Sequence, residues 1–306
     1  MTPAVCVCIP ARNEAEHIGR LIDALAQQTV QTFAVAICVN NSSDATHATA
    51  VDAMLRSHAA FDLHIVQRVF EPARAHAGSA RRAAMDMGAD LISSEGMLLS
   101  TDADCRPPLD WVETNLRHFS ADRIIGGRIE LDELEAETAP GIFLLRRRFD
   151  AYWRAVRAIE DAIDPVPWDR PPRHGDHTGA SLALSVELYR QAGGVPLLSS
   201  GEDRALVEAA CGAGGKLIHP YAVWTRASAR TAGRASGGMA ADMQQWMDYV
   251  AKEKNPMVPA LSHWEERARW RLWAKGEMSA ADCLIAERAL APMPCDMPLP
   301  TLEDIG

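Results

Sequence analysis

The first 130 residues alternate between short apolar runs and segments whose apolar side chains recur at helical spacing, and this restricts the fold more than any other feature. The run at residues 4–9 is continuously apolar, as a strand buried on both faces is, and residues 33–39, 63–69 and 96–100 read as further strands. Between them, residues 13–28, 44–57 and 76–90 are predicted helices. Ile18, Leu21, Ile22 and Leu25 share a face of the first, with Asn13 and Glu16 expected as its capping box. A further helix is marked by Leu109, Val112, Leu116 and Phe119, and another strand is expected over residues 124–131. Alternating strands and helices demand right-handed crossovers and a mostly parallel sheet.

The pattern changes near Pro140. A helix over residues 143–163 and a proline-rich loop at 165–172 precede a short strand at 181–184. Helices follow from Ser185 and over 202–213, then a strand at 216–218. Residues 264–290 read as largely helical and the tail at 292–300 as irregular. The expected organisation is an α/β catalytic domain over residues 1–225 and a mainly helical C-terminal extension over 226–306 packed on it.

The net charge of −10 gives no basic face for nucleic acid, so no nucleic-acid partner is expected. An acidic chain that binds phosphate needs local arginines, backbone amides or a metal ion. The seven cysteines are scattered without a Cys-x-x-Cys pair, which suits buried thiols in a reducing compartment. No apolar run reaches the ~18 residues of a spanning helix, and no basic leader precedes the first strand. The expectation is a cytoplasmic protein without an integral membrane segment, peripheral contact with a membrane being left open.

Ligands of open α/β sheets bind outside the carboxyl ends of the strands. Three polar clusters fall there: Pro10-Ala11-Arg12-Asn13-Glu14, Asn40-Asn41-Ser42-Ser43-Asp44 and Thr101-Asp102-Ala103-Asp104. Two carboxylates two residues apart repel unless a positive charge lies between them. A hard divalent cation supplies it, taking one or two carboxylates and leaving other positions to water and phosphate. A plain capped turn is the alternative reading of Asp102 and Asp104.

In this order the three clusters resemble the family 2 glycosyltransferases of the GT-A fold. Gly179-Ala180-Ser181, Gly193-Gly194-Val195-Pro196 and Gly201-Glu202-Asp203 extend the resemblance to about residue 215. It implies a Rossmann-like, mostly parallel sheet flanked by helices and transfer of a sugar from a UDP-sugar or GDP-sugar with Mg²⁺ or Mn²⁺. Pro10, Ala11, Arg12, Glu14, Asn40, Asn41, Arg81, Asp102 and Ala103 would bind the donor. Asp104 would hold the metal, and Asp203 would be the general base beside Glu202. The processive Gln-x-x-Arg-Trp motif is absent, so single-sugar transfer to an unidentified acceptor is expected, and the resemblance implies inversion because Asp203 stands where the family's base does.

Outside those motifs, Arg226, Arg230 and Arg234 recur every four residues, either on one helix face or in a loop over phosphates. With His174 and His177 they are the candidate anion or acceptor contacts, and His219 is a further candidate metal ligand. The competing readings are a nucleotidyltransferase acting on a sugar phosphate and a non-catalytic sugar-nucleotide-binding protein. Against the former, no Gly-rich loop with a basic residue follows the first strand.

Overall fold

The computed structural model describes residues 3–132, 140–230 and 239–304. The predicted alternation is present as β1 (Val5–Ala11), α1 (Ile18–Ala26), β2 (Ala34–Asn40), α2 (Thr46–Ser57), β3 (Asp62–Arg68), α3 (Ala77–Leu91), β4 (Met97–Ser100) and α4 (Trp111–His118). Then follow β5 (Arg123–Gly126), β6 (Arg128–Leu131), α5 (Pro140–Ile163), β7 (Leu182–Ser185), α6 (Val186–Gln191), α7 (Glu202–Gly212), β8 (Lys216–Ile218) and β9 (Trp224–Ala227). The C-terminal part adds α8 (Met239–Ala251), β10 (Met257–Val258), α9 (Leu261–Glu277), α10 (Ala280–Ala289) and β11 (Met297–Pro298).

Seven strands form one sheet in the order β3-β2-β1-β4-β7-β5-β8. Every pairing is parallel except those of β7, which runs antiparallel to β4 and β5. Side-chain alternation along β1 explains the layers. Val5, Val7 and Ile9 pack on α1 and Trp111 of α4 on one face. Cys6 and Cys8 face Ala80 and Ala84 of α3 on the other. Small thiols are needed there because α3 lies close: a Cβ on Gly88 would stand 2.7 Å from Cys8 Sγ. The buried cysteines therefore serve packing, and all seven are free.

Three local expectations are corrected. The α1 cap is His17 rather than Asn13, because Asn13 takes a left-handed φ of 51° and accepts a hydrogen bond from Ser43 N (2.8 Å). The strand expected over 124–131 breaks at Gly127 into β5 and β6, and β6 pairs with β9 in a separate two-stranded ribbon. Residues 176–181 cross at this break: a Cβ on Gly126 or Gly127 would lie 2.4 Å from Asp176 O or 2.0 Å from Ser181 Oγ. In the tail, Met297 and Pro298 are not irregular but pair with β10.

The helical C-terminal part packs on α5, where Tyr152 and Val156 meet Trp246, Tyr249 and Trp264. Tyr152 donates to Pro259 O (2.8 Å) and accepts from Trp264 Nε1 (2.7 Å). The division expected after residue 225 falls inside β9, which continues directly into the cleft described next.

Candidate active site

The carboxyl ends of β1, β2, β4, β5 and β8 lie along one edge of the sheet, and β7, being reversed, presents its N-terminal end there. A cleft of about 720 Å³ opens along this edge. Pro10, Ala11, Arg12, Glu14 and Asn40 line one end, and Asp102, Ala103 and Asp104 lie along it. Thr178, Ala180, residues 199–204 and Ala227, Ser228 and Arg230 also line it. The sequence-predicted aspartates thus share one cavity.

The loops after β1 and β2 hold each other. Asn13, Glu14 and Ala15 donate backbone N–H groups to Ser42 Oγ (3.0 Å), Thr46 Oγ1 (2.7 Å) and Asp44 Oδ2 (3.0 Å). This lacing is what most of the polar run 40–44 does. Asn40 alone of that run lines the cleft. Asn41, expected to face the donor, is turned away: its φ is 47°, and its amide pairs with Phe70 N (3.0 Å) and Phe70 O (2.9 Å). Arg12 donates to Ala75 O (2.8 Å), which brings in residues 72–77 as a wall that sequence reasoning missed. Its only sequence signal was the proline-bearing turn before α3.

Arg81 is part of the cleft floor and 4% exposed. Its guanidinium reaches Asp102 Oδ1 (2.9 Å), Glu202 Oε1 (3.1 Å), Ser100 Oγ (2.8 Å) and Gly179 O (3.0 Å). Burial alone would lower its pKa, but Asp102, Glu202 and Asp203 outweigh that and raise it. The expected donor-binding Arg81 is therefore a strut whose bonds go to protein. Glu202, expected among the catalytic groups, is 5% exposed and committed to that strut. Gly179 is small for the same reason, since a Cβ there would stand 2.2 Å from Arg81 Cζ.

Asp203 differs from its neighbour. It opens α7 after Gly201 (φ 73°) and accepts from Gly179 N (2.8 Å) and Arg204 N (2.7 Å). Two fixed amides orient the carboxylate and leave lone pairs toward the cleft that it lines. The loop ahead of it sits tight on α3: a Cβ on Gly78 would lie 2.4 Å from Leu198 O. Gly78→Ala is thus expected to destabilise the fold by about 1–3 kcal/mol, as overpacking against backbone does, read by urea denaturation.

Asp104 is flanked by Glu14 and Asp102, with Arg230 opposing. Burial pushes its pKa up to about 7, the nearby carboxylates add to this, and Arg230 restrains it. Oxygens of Asp102 and Asp104 and the Cys105 thiol lie within 4.8 Å of one another. The Cys105 thiol is buried and is a soft donor, which Mg²⁺ does not favour. The remaining donors are hard oxygens with surplus negative charge around them, which fits Mg²⁺ or Mn²⁺.

Other predicted contacts lie elsewhere. Among the described residues, His174, His177 and Arg226 do not line the cleft. Arg226 stacks on Trp224, 4.5 Å from the ring centroid. His219, a candidate metal ligand, instead bonds Asp169 through Nδ1 (2.7 Å) and lies 3.2 Å from His177 Nδ1 through Nε2. The buried Asp169 carboxylate also takes His219 N (2.7 Å), so this group pins the chain leading into Thr178. Burial depresses the pKa of His174 to about 3 and lowers that of His177, leaving both neutral near pH 7. Arg230 does line the cleft, whereas Arg234 lies outside the described residues.

A mostly parallel, three-layered α/β fold with paired aspartates at the strand ends defines the class as GT-A. Residues 6–156 match the model of glycosyl transferase family 2. Among solved structures, it is similar to the mannosyltransferase PcManGT from Pyrobaculum calidifontis in complex with GDP-Man and Mn²⁺. The TM-score is 0.53 at 17% identity, covering 94% of this chain and 80% of that one. S. aureus TarS 1–349 in complex with UDP-GlcNAc follows at 0.51 and 14% identity, covering 92% and 74%. A search of curated proteins finds no match. No helix among the described residues is long and apolar enough to cross a membrane.

Proposed function

We propose that the cleft binds a nucleoside-diphosphate sugar, UDP- or GDP-linked, together with Mg²⁺ or Mn²⁺, and transfers one sugar with inversion to an acceptor hydroxyl. The observation that carries this reading is the presence of Asp104 and the doubly held Asp203 in one cavity with Pro10 and Asn40. Pro10, Ala11, Arg12, Glu14 and Asn40 take the nucleoside end, and Asp102 and Ala103 border the diphosphate. Asp104 holds the cation, with Asp102 beside it. Bound there, the metal supplies charge stabilisation to the departing diphosphate.

Asp203 accepts the acceptor's hydroxyl proton as that oxygen bonds to the anomeric carbon. The bond from that carbon to the diphosphate oxygen breaks, and its electron pair leaves with the nucleoside diphosphate. Gly179 N and Arg204 N keep the carboxylate aimed while its charge falls. The similarity to structures holding GDP-Man or UDP-GlcNAc supports the donor class, and the family supports sugar transfer. The seven free thiols suit a cytoplasmic setting. On this reading residues 1–225 carry the donor and acceptor site, and the chain beyond them adds Ser228 and Arg230 to the cleft.

A thermal-shift panel of UDP- and GDP-sugars, with and without Mn²⁺, tests this. At least one donor is expected to stabilise the protein more with Mn²⁺ than without it, and Asp104→Asn to remove that increment. Incubation with the donor that binds is expected to release nucleoside diphosphate. Release of pyrophosphate from a nucleoside triphosphate and sugar phosphate would instead establish nucleotidyl transfer.

A further inference from the structure

Arg230 enters the cleft from the chain after β9, with its backbone N–H on Ser228 Oγ (3.2 Å). Its fork donates from Nη1 to Glu14 Oε2 (2.7 Å) and from Nη2 to Glu14 Oε1 (2.7 Å). The same Nη2 lies 2.8 Å from Asp104 Oδ2. Glu14 follows β1 and Asp104 follows β4, two neighbouring strands of the sheet. One guanidinium therefore sits between the loop assigned to the nucleoside and the carboxylate assigned to the cation.

We infer that Arg230 is the chain's own counter-ion for Asp104: it competes with a divalent cation for that carboxylate, and a nucleoside diphosphate relieves the competition by taking the fork. The inference rests on the donor and metal reading above. Its first half follows from charge and space. A guanidinium stays protonated, so a cation approaching Asp104 Oδ2 meets a fixed positive charge already in contact with that oxygen. Its second half follows from the fork, which pairs with phosphate oxygens as readily as with a carboxylate. Once it turns to the diphosphate, Asp104 faces the metal without a rival. Metal and nucleotide then load cooperatively, each raising the other's affinity by one shared factor.

Among the described residues, no other arginine lining the cleft is placed for this. Arg81 is held on four sides by Asp102, Glu202, Ser100 and Gly179. Arg12 bonds Ala75 O, and Arg204 lies 3.4 Å from Glu208. The bland alternative makes Arg230 a fixed tie between two loops. A tie predicts that its loss loosens the site and leaves the metal no better held.

Mn²⁺ titration followed by electron paramagnetic resonance separates the two, on wild type, Arg230→Met and Arg230→Lys, with and without UDP or GDP. With Mn²⁺ alone, Arg230→Met is expected to bind more tightly by roughly five- to a hundred-fold, the usual size of coupling between sites. The factor by which nucleotide tightens Mn²⁺ binding is expected to fall, leaving only what direct contact between the cation and the diphosphate supplies. Arg230→Lys keeps the charge but lacks the fork, so it should still suppress Mn²⁺ binding while losing much of the coupling. Unchanged or weaker Mn²⁺ binding in a folded Arg230→Met protein overturns the inference. Should that variant not fold, full coupling retained in Arg230→Lys overturns it instead. The Mn²⁺-only arm needs no transfer reaction, so it decides the competition even if the donor or acceptor assignment fails. Absence of Mn²⁺ binding by every variant would overturn both.

Discussion

Replacing Arg81 by methionine is expected to lower stability by roughly 3 kcal/mol, the lower end of what breaking a buried ion pair costs. Methionine keeps much of the length and apolar bulk, so the loss is electrostatic rather than a cavity. Glu202, 7% exposed at its side chain, would be left charged in a buried site. Asp102 adds less, because its side chain is 38% exposed and water can screen it. Gly179 O and Ser100 Oγ each lose a donor as well. Guanidinium denaturation of wild type and variant gives the difference directly. The triple variant Arg81→Met, Asp102→Asn, Glu202→Gln should recover part of the loss, since neutral partners no longer demand a counter-charge. A single variant within experimental error of wild type would mean that the strut does not carry the floor of the cleft.

This strut also shows what was legible in the sequence. Apolar periodicity gave the layers, because the central strands had to be buried on both faces and each helix on one, the edge strand β3 staying partly exposed. It placed Asp102 and Asp104 at one edge, because strand ends follow from strand positions, whereas Asp203 was reached only through the family resemblance. Periodicity does not say whether a polar side chain at that edge faces the ligand or the protein. Arg81 and Glu202 border the cleft but spend their bonds on the protein, Asn41 is turned away from it, and the reasons are long-range. Arg81 is 121 positions from Glu202, and Asn41 is 29 from Phe70. The reversal of β7 was equally hidden, since four buried residues read the same in either direction. Arg230 is the opposite case. Its recurrence with Arg226 and Arg234 suggested one shared role, yet β9 divides them: Arg226 lies in the strand and stacks on Trp224, while Arg230 lies beyond it and reaches Asp104.

Asp203→Asn is expected to slow transfer by about 10²–10⁴-fold, the usual contribution of a positioned base, while leaving donor binding and the fold in place. The two side chains have nearly the same shape. The asparagine oxygen can still accept from Gly179 N, and only the Arg204 N bond at the exposed end of α7 is lost, which solvent can replace. What asparagine cannot do is take the acceptor's proton. Glu202→Gln provides the contrast from the adjacent position. It removes the charge paired with Arg81, so it should depress the melting temperature and affect turnover only as far as the cleft floor moves. Measured side by side, the two variants separate a group that meets the reacting hydroxyl from one that holds the floor. Full turnover in Asp203→Asn, with loss confined to Glu202→Gln, would overturn the assignment of Asp203 as the base and pass that role to its neighbour.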